Sequence, residues 1–149
     1  MLMDLLRRLG ADTAPAPLDA EDCRRALSAL MVRLARQDDS YSARERAMID
    51  RVLAERYGLG SDAAGTLRAE AEAIETEAPD TVRFTRMIKE AVPYDERQGV
   101  VEALWRVAIV DGIDAEEHGF LRLVASLLGV SDVDSGLARQ RAADRSSRS

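Results

Sequence analysis

A chain of 149 residues, 46% of them hydrophobic, is long enough for one domain with its own apolar core and needs no disulfide to hold it. The formal net charge of −6 argues against a nucleic-acid-binding face. Cys23, the single cysteine, rules out internal disulfides and makes a structural zinc site improbable.

The first ten residues, Met1 to Gly10, contain a short amphipathic helix pattern, Leu2 to Leu9, without the long apolar core or cleavage site of a signal peptide. Packing on its own domain or contact with a membrane surface would both explain that pattern. No apolar run approaches the roughly 20 residues of a membrane span, so a cytoplasmic protein is expected. Ala11 to Pro17 reads as a proline-interrupted linker. These stretches make residues 1–17 an N-terminal helix and linker ahead of a helical domain at 18–134.

Asp19 can cap a long helix whose Ala26, Leu27, Leu30, Met31, Leu34 and Ala35 follow the spacing of a buried stripe. Asp38 to Tyr41 breaks it. Ser42 and Glu45 then form a capping-box signature, ahead of a helix carrying Met48, Ile49, Val52, Leu53 and Tyr57 that Gly58 closes. Ser61 or Asp62 starts an alanine- and glutamate-rich helix, peripheral in character, that Pro79 stops. Asp80 can cap the next, with Val82, Phe84, Ile88 and Val92, up to Pro93. Tyr94 to Val110 is the longest apolar-periodic segment, and Trp105 lies within its core face. Asp111 to Asp114 forms a second acidic turn, and Ala115 to Leu128 a last core helix. Beyond Ser131 a short further helix can form, but residues 135–149 read as a flexible basic tail, with four arginines against Asp144. No segment alternates with a period of two, so the fold class is all-α.

The chain also says nearly the same thing twice. Ala29 and Ala103 each begin an apolar run that meets an acidic turn (Asp38-Asp39; Asp111-Gly112). A capping signature follows in each copy (Ser42 to Glu45; Asp114 to Glu117), then an apolar stretch ending in glycine (Gly58; Gly129). Two such turns brought together could hold a hard divalent cation, calcium, magnesium or manganese, which takes six or more oxygen ligands. The same residues also suffice as helix caps, each worth about 1 kcal/mol, with no metal at all. The second turn is not an EF-hand, because Val107 and Ile109 stand where that loop needs oxygen ligands. His118 reads as a surface residue or an extra ligand beside Glu117. Nothing pairs a nucleophile with a base, so no catalytic residue is assigned and no enzyme is expected.

Ala35 to Glu45, Ala103 to Gly112, and Glu117-His118 together resemble the tellurite-resistance TerB-like family, whose pattern Ala-x-Ala-Asp-Gly, an aliphatic residue, Asp or Ser, then acidic residues occurs twice. The resemblance covers about Leu18 to Asp132. It implies a compact bundle of about seven helices with the acidic turns close together, a role in bacterial resistance to tellurite and other chemical stress, and a proposed metal site; catalysis is not established for the family. A related domain occurs in a membrane-anchored DnaJ-type co-chaperone. Carried over, the metal candidates are Asp38, Glu45, Asp111 and Glu117, with Asp39, Asp114, Glu116 and His118 behind them. Partners would be other stress-response proteins, without nucleic acid. The alternative is a metal-free protein- or membrane-interaction module in which the acidic residues only cap helices. Asp39 stands in place of the family's glycine in the first turn, and the second turn is one residue short before Asp114.

Overall fold

A computed structural model describes residues 20–37, 39–77 and 81–148. The expected helix at Leu2–Leu9, the linker after it, the Asp19 and Asp80 caps and the metal candidate Asp38 lie outside them. Among the described residues there are seven α-helices and no strand: α1 (Ala20–Ala35), α2 (Ala43–Tyr57), α3 (Ser61–Glu77), α4 (Thr81–Ala91), α5 (Tyr94–Ala108), α6 (Ala115–Leu127) and α7 (Asp132–Arg148). A single 3-10 turn, Ile109–Asp111, extends α5. No helix is long and apolar enough to cross a membrane, again among the described residues.

α1 is the centre of the bundle. A stripe was the expectation, but Ala26 to Val32, Leu34 and Ala35 are all buried, because α2, α3, α4, α5 and α6 pack around it. A helix that is apolar on every side is stable only when covered on every side. Ser28 fits this dry setting by donating its hydroxyl to the Arg24 carbonyl at 2.7 Å. The one charged residue within that run, Arg33, reaches out to Glu75 on α3.

α3 is peripheral, as its composition suggests. It buries only Ala64, Ala71 and Ile74, and it is tied down by arginines: Arg25 to Glu70, Arg36 to Glu75, and its own Arg68 to Asp50 of α2. Gly58 ends α2 in the left-handed conformation (φ +63°), its N–H bonded to the Ala54 carbonyl, where a side chain would be strained.

The region expected as a flexible tail is helical instead. α7 runs to Arg148 and lies along α5, with Ser135, Ala138 and Ala142 buried. Those three small residues recur at i, i+3 and i+7, which lets the backbones approach. Trp105, core as expected, donates its indole N–H to Ser135 at 3.3 Å, while Arg139 lies over its ring and Arg141 pairs with Glu102.

Candidate functional site

The two acidic turns meet. Ser42 caps α2 by accepting the Glu45 N–H at 3.1 Å, and the Glu45 carboxylate accepts the Ser42 N–H at 2.7 Å, closing the capping box. At α6, Asp114 accepts the Glu117 N–H at 2.8 Å and Glu117 accepts the Asp114 N–H at 3.3 Å. The Ser42 hydroxyl also donates to Asp111 across the interface at 2.5 Å, and the Arg44 guanidinium lies 3.6 Å from the same carboxylate. One serine therefore serves two turns.

The candidate ligands divide by what they do. Glu45 and Glu117 are 2% and 1% exposed, each with a carboxylate oxygen turned back to its own helix start. Asp111 lies on the exposed rim, between Ser42 and Arg44. Asp114 is a helix cap, and Glu116 and Asp39 are exposed. His118 is half-buried rather than fully solvated, its ring edge-to-face with Trp105 at 5.9 Å. Among the described residues, no group of three or more His, Cys, Asp or Glu side chains is arranged to hold a metal ion.

The first turn has an anchor that sequence reasoning missed. Tyr41 donates its hydroxyl to Glu72 on α3 at 2.5 Å, and Arg36 and Arg46 both lie over its ring. Arg46 also donates to the Tyr41 carbonyl at 3.0 Å. Burial, together with the neighbouring carboxylate, pushes the Tyr41 phenol above its ordinary range. Burial works against the Glu72 carboxylate, but the Tyr41 hydroxyl and Arg68 outweigh it and hold its pKa below the usual value. Nothing in a lone tyrosine after an acidic turn announces such a contact, because its partner is 31 residues away. The Ser42–Asp111 bond was equally hidden: serine before Glu45 is explained by capping alone.

As chemistry, the arrangement fixes two helix starts against each other and sets an exposed arginine beside one carboxylate. The lone Cys23 has its thiol pushed up by burial, the opposite of nucleophile activation.

No curated protein and no solved structure matches the chain. The family described as Tellurite resistance protein TerB matches residues 24–140, from early α1 into α7 and across both turns. With most of its length covered, the chain belongs to the TerB tellurite-resistance family.

Proposed function

We propose that this chain is a cytoplasmic, metal-free interaction module of a bacterial stress response, docking other proteins of that response. The family is non-catalytic. The observation that carries the reading is how the carboxylates are used. Glu45 and Glu117 complete capping boxes, and Asp111 accepts from Ser42 beside Arg44. A carboxylate already engaged by a hydroxyl, with a guanidinium beside it, is a poor ligand for a hard cation, which must displace the one and move the other. The matching caps also support the idea that α1–turn–α2 and α5–turn–α6 are copies of one unit.

A second reading has one observation behind it. The Ser42–Asp111 bond brings the two turns side by side, the placement a calcium, magnesium or manganese ion between them requires. Calorimetric titration of the chelator-treated protein with calcium, magnesium, manganese and zinc, beside Asp111→Asn, separates the two. The interaction-module reading expects no saturable heat from wild type and only a small stability change in the variant. Saturable binding that disappears in Asp111→Asn would replace it with the cation site.

A further inference from the structure

α2, α5 and α7 enclose an open cleft of about 240 Å³. It lies at the C-terminal half of α2, and Arg56 is about 21 Å along the helix from Ser42 at 1.5 Å per residue. Val52 and Ala103 give the cleft an apolar floor, and Gly99 presents bare backbone, with a Cβ there falling 3.5 Å from Arg56 Nη1. The walls are charged, and unevenly. Glu55 receives Arg106 at 2.7 Å, Arg51 at 3.3 Å and Arg145 at 3.9 Å. Glu102 receives Arg141 at 2.6 Å and Arg145 at 3.7 Å. Arg56 has no carboxylate partner among the described residues; its guanidinium lies 5.9 Å from the Tyr57 ring centre. The cleft itself is thus lined by three guanidiniums, Arg56, Arg106 and Arg145, and two carboxylates, in a protein whose net charge is −6.

Guanidiniums therefore outnumber carboxylates on the cleft walls. Arg106 is largely buried, and its one hydrogen bond among the described residues goes to Glu55, which leaves further N–H donors for a ligand in the open cleft. Guanidinium forks match tetrahedral and planar oxyanions with paired hydrogen bonds, which ammonium groups do not. The volume falls below the roughly 300–1,000 Å³ of sites for drug-sized molecules, so the cleft suits a small ion or one group of a larger molecule. We propose that this cleft binds a phosphate-type oxyanion, with Arg56, Arg106 and Arg145 as its donors. The site stands independently of how the acidic turns are used.

The test follows backbone amide NMR shifts of the full chain during titration with inorganic phosphate and, separately, glycerol phosphate, at constant ionic strength in chloride. The proposal expects saturable shifts at Gly99, Ala103 and Arg56 with a dissociation constant of about 1 mM or tighter. Arg56→Gln, at an exposed residue outside every ion pair among the described residues, should keep its unfolding midpoint and weaken binding about tenfold, the loss of a charge-assisted donor. Arg122→Gln, equally exposed but on α6, removes the same charge and should leave affinity unchanged. Equal affinity for the two probes assigns the free ion, and tighter binding of glycerol phosphate assigns a phosphate carried on a larger molecule; both support the site. Shifts that never saturate, or equal weakening by Arg56→Gln and Arg122→Gln, would overturn it in favour of diffuse charge attraction.

Discussion

At the first acidic turn the chain passes through Asp39 in the left-handed conformation (φ +63°), whereas at the second it tightens into a 3-10 turn and passes through Gly112 at φ +84°, ψ 153°. Both then start a helix with the same reciprocal cap. The first turn is held from outside, by Tyr41 on Glu72 and by arginines on the Tyr41 ring. The second has no such anchor among the described residues and is held by its own backbone, by Ser42 and by Arg44 beside Asp111. Equal caps therefore do not mean equal turns: one depends on side chains from α3, the other on a glycine.

The largest break in that comparison should come at Gly112. Its φ and ψ lie in a region that only glycine enters freely, while the space around it is open. Gly112→Ala should cost about 1–3 kcal/mol in urea unfolding through backbone strain alone. A loss under 0.5 kcal/mol would show that the turn relaxes, roughly as a surface substitution does.

The caps come next. Asp114→Ala and Ser42→Ala should each cost about 1 kcal/mol. Ser42→Ala also removes the tie between the turns, so a double-mutant cycle with Asp111→Ala should return a coupling of about 0.5 kcal/mol or more. Strict additivity would mean that the Ser42–Asp111 bond contributes nothing in solution.

Tyr41→Phe sharpens the outside anchor. Loss of a partly exposed bond to a carboxylate should cost about 1 kcal/mol near neutral pH. The phenol's value is raised in the fold, so its stabilisation is fully present below the ordinary tyrosine value of about 10. Above that, the unfolded chain ionises first, and stability falls as pH rises towards the folded value. The variant should show a shallower alkaline decline than wild type, read from unfolding curves at pH 9 to 11.

How far this was legible in the sequence depended on the distance between partners. Both capping boxes could be read because their partners are three residues apart. At Asp39 only the resemblance pointed to the turn, by a glycine in the family's pattern; the left-handed conformation itself came from the structure. What could not be read was long-range. Ser42 and Asp111 are 69 residues apart, Tyr41 and Glu72 31, and neither pair leaves a periodic trace. The burial of α1 on every side exceeded its stripe because Ala29 and Val32 gain cover only from helices elsewhere. α7 was missed for a different reason. Its buried face is Ser135, Ala138 and Ala142, small residues whose signal was swamped by serine and arginine around them. The arginines along α2, α5 and α7 left no pattern in the sequence, and only the fold places four guanidiniums on Glu55 and Glu102.

The smallest effect tests the first turn against the second most directly. Asp39 holds φ +63°, a conformation aspartate tolerates better than most residues, so its strain is modest. Asp39→Gly removes that strain but adds unfolded-state freedom worth roughly 0.5–1 kcal/mol, and the two nearly cancel. The informative quantity is therefore the difference between Asp39→Gly and Asp39→Ala, since alanine keeps the strain without aspartate's tolerance of it. Glycine should exceed alanine by about 1 kcal/mol, against up to about 3 at position 112, where the conformation is glycine's alone. Equal differences at the two positions would mean that the turns share one backbone in solution and that Tyr41, not Asp39, sets the first apart.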